Sequence, residues 1–271
     1  MADILYVWHL SAWRMWASWL RYGILLLKPL PKHNAFLHAF RRHVLRDKRH
    51  YYCFDAIEHL RQQLLRDSRA VPVTGWGAGS RHRRNYAPIS FLTRHVSLPP
   101  RYGRLLFRLC LQVCPQNILE LGTGLGLATL YLAASQKTAR VITVEGNPHL
   151  AALARSHFAL LGCSNVELME MSFDHALSVL QTRACCFDMV VIDGDHRGKA
   201  TLRYMTTLLP ILAQKALVVL DDIRWSGDMA KAWHQLIMHP SVCLSIDLFR
   251  MGLLLLDHNP GPNHVAMWYG L

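Results

Sequence analysis

The sequence predicts an α/β fold in which a seven-stranded, mostly parallel sheet is wrapped on both faces by helices and preceded by a helical segment. Three observations carry that prediction. From residue 117 onward, apolar runs at 117–121, 140–145, 166–169, 187–193, 216–222, 243–249 and 252–256 alternate with helix-like runs near 125–135, 147–161, 173–182, 198–213 and 227–238, the pattern of repeated βα units. The first run, Ile118 to Leu121, breaks into Gly122, Gly124 and Gly126 just before a helix-periodic segment, giving strand, tight turn and helix. The last two runs are joined only by a few residues around Arg250 and Met251, too few for a parallel crossover, so the final strand is expected to be antiparallel. A length of 271 residues with 52% hydrophobic residues supplies ample material for such a core.

Residues 4–30 are rich in Trp and Leu, with Trp8, Trp13, Trp16 and Trp19 interleaved with Arg14 and Arg21, and they stop at Lys28-Pro29-Leu30-Pro31. This reads as a helix closed by prolines. The opening Met-Ala-Asp has no positive n-region and no small-residue cleavage site follows, so no secretory signal is expected, and the interrupting arginines argue against a spanning helix. Such a helix packs on its own domain or lies in a membrane interface. From His33 to Arg69, the apolar Phe36, Phe40, Val44, Phe54, Ile57, Leu60 and Leu64 predict two or three further helices. The stretch Val73 to Ser80 mimics a second glycine-rich cofactor loop, yet it leads through Arg81-His82-Arg83-Arg84 to Pro88 instead of into a helix, and is read as a basic loop. Pro99-Pro100 marks a boundary, giving a basic, Trp-rich helical segment over 1–100 and an α/β domain over 101–271.

The net charge of +12 is uneven: residues 1–100 hold 16 Lys and Arg against 5 Asp and Glu, whereas residues 101–271 hold 14 against 13. A basic flank suits nucleic acid, an anionic membrane surface or an acidic substrate, and equally a solvated face. The seven cysteines lack paired metal spacings, with Cys110 and Cys114 one helical turn apart and Cys185 next to Cys186, as expected of reduced thiols in a cytoplasmic protein.

In the glycine turn the backbone is free to take positive φ and to approach a ligand closely, while the following helix aims unpaired N–H groups at the same spot. Strand two ends at Glu145, 19 positions beyond Gly126, where a nucleotide site holds a ribose by its hydroxyls. Those features suit NAD and S-adenosylmethionine alike. The string Ile118-Leu119-Glu120-Leu121-Gly122-Thr123-Gly124-Leu125-Gly126, however, resembles the first motif of class I S-adenosylmethionine-dependent methyltransferases, E-x-G-x-G-x-G, over a match covering about residues 100–257. That resemblance implies a Rossmann-like methyltransferase fold. It places Glu120, Gly122, Thr123, Gly124 and Gly126 around the methionine part of the cofactor, Glu145 and Gly146 at the ribose, Ser172 and Phe173 near the adenine, and Asp193 among the cofactor contacts.

Two further strands deliver carboxylates to their carboxyl ends, where an open α/β sheet binds ligands: Phe187 to Asp193-Gly194-Asp195-His196, and Leu217 to Asp221-Asp222-Ile223-Arg224-Trp225-Ser226-Gly227. Three carboxylates there suit Mg²⁺, a hard cation that takes oxygen ligands. The pair is similar to strings of the cation-dependent O-methyltransferases of catechol type, D-A-D-K and D-N-V-L-W-S-G, and of sugar O-methyltransferases sharing their metal site. The resemblance puts Asp193, Asp221 and Asp222 at metal-ligand positions, with Asp222 in place of an Asn. It leaves the base open between His196, which stands where the catechol-type enzymes carry Lys, and Asp195, which serves in the sugar-modifying relatives. Asp221 and Asp222 also suit the plainer role of capping the next helix. A looser resemblance, to uncharacterised bacterial methyltransferases with a similar basic N-terminal region, implies that residues 1–100 form a helical cap.

The leading expectation is therefore metal-assisted O-methylation of a small-molecule hydroxyl. A nucleic-acid methyltransferase using the basic residues 81–84 is less favoured, because neither an N-P-P-Y-type motif nor an RNA-binding module is present. A third reading is a non-catalytic cofactor-binding protein or one associated with membranes through residues 4–30.

Overall fold

The computed structural model describes residues 12–27, 29–31, 34–73, 85–183, 185–257 and 263–269. Trp8, the glycine-rich loop from residue 74 and the basic run 81–84 lie outside the described residues, as do the side chains of Trp13, Arg14 and Arg21.

In chain order, α1 (Ala12–Leu26) precedes α2 (Ala35–Phe40), which Asn34 caps by accepting the N–H of Leu37 at 3.0 Å, and which runs on as a π-helical turn over Arg41–Leu45. Next come α3 (Tyr52–Arg66), β1 (Ala70–Pro72), β2 (Tyr86–Pro88), α4 (Ile89–His95) and α5 (Pro100–Val113), which starts with a proline whose missing N–H costs nothing in the first turn. The alternating part comprises β3 (Asn117–Leu121), α6 (Leu127–Ser135), β4 (Arg140–Glu145), α7 (Pro148–Leu160), β5 (Val166–Glu170), α8 (Phe173–Thr182), β6 (Phe187–Ile192), α9 (Gly198–Leu208), β7 (Leu212–Leu220), α10 (Gly227–Leu236), β8 (Val242–Asp247), β9 (Gly252–Leu256) and β10 (Asn263–Ala266). These elements form a Rossmann-like α/β fold, and the chain packs as two compact units.

In the unit of residues 34–179, β3, β4 and β5 run parallel, with Leu119 opposite Ile142 and Ile142 opposite Glu167. Ile118 to Leu121 are all buried, as a strand covered on both faces requires, so β3 reads as a continuous apolar run without alternation. Helices from before residue 100 enter this core directly. Phe54, Ile57 and Leu60 of α3 pack with Phe107 of α5, Leu130 and Tyr131 of α6 and Phe158 of α7. The Phe54 ring meets Phe107 and Tyr131 edge-on at 5.1 and 5.6 Å, and the Tyr131 hydroxyl donates to Glu58 at 2.5 Å. Burying each such ring contributes about 1.5–3 kcal/mol, which binds α3 to the sheet-flanking helices.

The other unit joins the described residues up to 33 with residues 180–271. Here β6 and β7 are parallel, β9 is antiparallel to both β7 and β8, and β10 runs parallel to β8. The antiparallel strand predicted at 252–256 is thus present between β7 and β8, and among the described residues β10 adds a short strand beside β8. On this unit α1 packs through Trp19, stacked on Phe249 at 3.7 Å, and Tyr22, whose ring meets Phe249 at 5.2 Å and whose hydroxyl donates to the Met267 carbonyl at 2.6 Å. Its opposite face carries Trp16, Leu20, Ile24 and Leu27 at helical spacing, all exposed, Trp16 by 73% and Leu27 by 83%.

Candidate active site

The turn after β3 is fastened to the end of β4. The N–H groups of Gly122 and Thr123 donate to the Val144 carbonyl at 3.0 and 3.2 Å, and that of Gly124 donates to the Glu145 carboxylate at 2.8 Å. The other Glu145 oxygen accepts the N–H of Asn147 at 2.9 Å, and the Asn147 side chain caps α7 while donating to the Pro72 carbonyl. A carboxylate offers about four lone-pair positions, so Glu145 keeps acceptor capacity for a ligand hydroxyl after these bonds. Burial pushes the Glu145 carboxyl up, and the N–H groups of Asn147, Gly124 and Gly146 oppose that rise.

Two of the glycines serve different ends. Gly124 has φ +53°, and a Cβ there would meet nothing within 4 Å, so its side opens on space a ligand can fill. Gly126, at φ +80°, would drive a Cβ to 2.7 Å from the Phe158 ring, so its lack of a side chain answers helix packing. No side chain caps α6, which leaves its leading N–H groups aimed out of the turn.

Glu120 is fully buried. One of its oxygens accepts the hydroxyls of Thr129 and Thr143, each at 2.5 Å, and the other has no partner. Thr123 joins this network through Thr143 at 2.6 Å. Burial pushes the Glu120 carboxyl up to about 7, with the nearby Glu145 adding to the rise and the two threonines opposing it. Ser172 and Phe173 are half-buried at the start of α8, where the Ser172 hydroxyl accepts the His175 N–H at 3.4 Å. An orphaned buried carboxylate oxygen, an open glycine face and a carboxylate with spare acceptor capacity together suit a nucleoside carrying a charged amino-acid moiety.

The acidic strand ends lie in the other unit. Ile192 pairs with Leu220 across β6 and β7, and the Asp221 N–H donates to the Ile192 carbonyl at 3.0 Å, so Asp193 and Asp221 emerge from neighbouring strands. Asp221 and Asp222 do not cap α10. Ser226 does, accepting the N–H of Met229 at 3.1 Å. Both aspartates instead face Arg250: its Nε donates to Asp221 Oδ1 at 2.9 Å, its Nη2 to Asp221 Oδ2 at 2.6 Å, and its Nε lies 3.2 Å from Asp222 Oδ1. Burial works against ionisation of Asp221, but the Arg250 guanidinium outweighs it and holds this carboxyl low, whereas burial and neighbouring Asp221 push Asp222 up. The expected metal set does not fit a cation as folded, since a guanidinium fork occupies both oxygens of one ligand and lies against a second. Among the described residues no group of three or more His, Cys, Asp or Glu side chains is arranged to hold a metal.

Asp195 and His196 part company. Asp195, at φ +57°, is engaged by Arg197 at 2.5 and 2.8 Å and by the Tyr204 hydroxyl at 2.8 Å. His196 stands beside the acidic cluster, with Nε2 3.9 Å from Asp222 Oδ2 and its ring 5.7 Å from that of Trp225. Sequence reasoning missed Arg250 altogether. The signal available was a basic residue in the short β8–β9 turn, delivered to the carboxyl end of β7 by the antiparallel pairing.

Fold and glycine turn together are similar to those of class I S-adenosylmethionine-dependent methyltransferases. Residues 119–223 match the model of a methyltransferase domain family. The chain is similar to a catechol O-methyltransferase of Niastella koreensis, with 33% identity over 136 residues, 49% of this chain and 60% of that relative, so it spans less than two thirds of the protein it matches. Among solved structures it resembles the O-methyltransferase TomG of Streptomyces achromogenes in complex with SAM, with TM-score 0.53, 23% identity and coverage of 60% of this chain and 82% of that one. A SAH-bound methyltransferase of Podospora anserina matches with TM-score 0.58, 17% identity and coverage of 86% and 99%.

Proposed function

We propose that the protein transfers a methyl group from S-adenosylmethionine to a hydroxyl oxygen of a small molecule. The observation that carries this reading is Glu145, fixed by the N–H groups of Gly124 and Asn147 with acceptor capacity to spare, in a segment matching a methyltransferase domain. When bound, the cofactor supplies an electrophilic sulfonium methyl. Glu145 and Gly146 bind its ribose, Glu120, Gly122, Thr123 and Gly124 surround its methionine end, and Ser172 and Phe173 border its adenine. Gly126 completes that turn.

His196 is the base that takes the acceptor proton, because Asp195 is already committed to Arg197 and Tyr204. Asp222, next to the imidazole, balances the positive charge when the ring is protonated. The metal-assisted form of the reaction needs Asp193, Asp221 and Asp222 to release Arg250. Calorimetric titration with S-adenosylhomocysteine tests the donor side: wild type binds, and Glu145→Ala loses at least tenfold in affinity. Turnover of radiolabelled donor with a panel of catechol and sugar hydroxyl acceptors tests the acceptor side, and methyl incorporation only into RNA would sink the proposal.

One further partner is favoured by a specific observation, the exposed stripe of Trp16, Leu20, Ile24 and Leu27 on α1. No helix among the described residues is long and apolar enough to cross a membrane. With a net charge of +12 concentrated before residue 100, this face suits peripheral contact with an anionic bilayer. Flotation with phosphatidylserine vesicles checks it: wild type floats, Trp16→Glu with Leu20→Glu does not, and equal flotation of both removes the reading.

A further inference from the structure

We infer that Arg250 is the resident cation of the cluster formed by Asp193, Asp221 and Asp222, held where the catechol-type pattern expects a divalent metal. The inference rests on the O-methyltransferase reading only for the register of those three aspartates.

The first support is the geometry of the pair. Arg250 grips Asp221 with two hydrogen bonds, at 2.9 and 2.6 Å, and stands 3.2 Å from Asp222, with its side chain only 14% exposed. A guanidinium matches a carboxylate fork and stays protonated at any working pH. Mg²⁺ requires carboxylate oxygens at about 2.0–2.1 Å, and reaching Asp221 means displacing both N–H donors and then sitting against a buried like charge.

The second support is the turn that delivers Arg250. Phe249 takes φ +70°, a conformation that a bulky residue adopts only when its surroundings impose it. They do so here in several ways. Asp247 accepts the Phe249 N–H at 2.8 Å, and Arg224 binds both Asp247 oxygens, at 2.8 and 2.5 Å, as well as the Phe249 carbonyl at 2.7 Å. Trp19 stacks on the Phe249 ring, Arg224 lies over its face at 4.9 Å, and the Ile223 N–H donates to the Arg250 carbonyl at 3.0 Å. A side chain merely resting on the nearest carboxylate would not need a braced, left-handed residue before it. This turn is built to present a fixed positive charge to the ends of β6 and β7.

Uptake of Mn²⁺ by the full-length wild-type protein, followed by the paramagnetic resonance of the free ion, tests the inference without reference to activity. The free-ion signal is expected to persist undiminished at equimolar protein. Uptake of one equivalent that Asp221→Asn abolishes would overturn the inference. Arg250→Ala is expected to gain that equivalent, and a folded Arg250→Ala that takes up none would also overturn it. Should this variant unfold, the wild-type titration decides alone. If an acceptor is turned over, its rate is expected to stay within twofold after dialysis against EDTA, whereas loss that Mg²⁺ restores would refute the assignment. Failure to methylate any hydroxyl would strike the proposed reaction and leave the Mn²⁺ result standing.

Discussion

Replacing Glu120 with Gln should change how stability depends on pH. The buried carboxyl is raised from 4.5 to about 7, chiefly because burial penalises its charged form. Its neutral form is therefore favoured in the folded state, and the stability this gives is complete below the unfolded pKa and lost as pH rises through the folded one. At ~1.36 kcal/mol per pH unit, the loss across the window from 4.5 to about 7 amounts to about 3 kcal/mol. Gln keeps an oxygen to accept from Thr129 and Thr143 and carries no charge at any pH, so the variant lacks this term. Urea unfolding of the cofactor-free protein at a series of pH values is the assay. Wild type should lose about 3 kcal/mol more than Glu120→Gln between pH 4.5 and 8, with the other titrating groups cancelling in the difference. Parallel profiles for the two proteins would refute the reasoning and mean that the Glu120 carboxylate is solvated or paired in the folded state.

Three other outcomes are expected. Gly126→Ala, forced to positive φ and against Phe158, should destabilise the protein by roughly 2 kcal/mol or more in thermal unfolding. Tyr22→Phe removes one buried hydrogen bond to the Met267 carbonyl and should cost about 1 kcal/mol in urea unfolding, more if that carbonyl stays dry. His196→Ala should lower kcat by about 10²–10⁴ with S-adenosylhomocysteine affinity unchanged in calorimetry, whereas Asp195→Ala should act mainly on melting temperature by freeing Arg197 and Tyr204.

Much of the fold was legible because parallel strands buried on both faces leave long apolar runs, and β3, β4 and β9 fall on their expected residues. The β8–β9 hairpin was legible from the brevity of its connection. By contrast, β10 is four residues long and owes its strand geometry to pairing with β8, which no local pattern announces. The grouping of α1 with residues 180–271 was equally hidden, since stacking of Trp19 on Phe249 joins positions 230 residues apart. At the site, motif spacing located Glu120, the glycines and Glu145, but spacing is silent on partners. Asp221 and Asp222 read as ligands because two adjacent carboxylates at a strand end demand a cation, and the sequence does not say that the cation is an arginine 29 positions from Asp221. Gly126 looked like its neighbours in the motif, and only the Phe158 ring distinguishes its purpose.

The pairing of α1 with the β8–β9 turn also sets an order of events during synthesis. Residues 12–26 leave the ribosome early, yet Phe249, which covers Trp19 and Tyr22, is made more than two hundred residues later. At about 5–20 residues per second this leaves the aromatic inner face of α1 uncovered for roughly tens of seconds, while the segment 34–179 already has its own core to fold around. During that interval the helix presents apolar side chains on both faces. The nascent chain is then most open to chaperones and to premature aggregation.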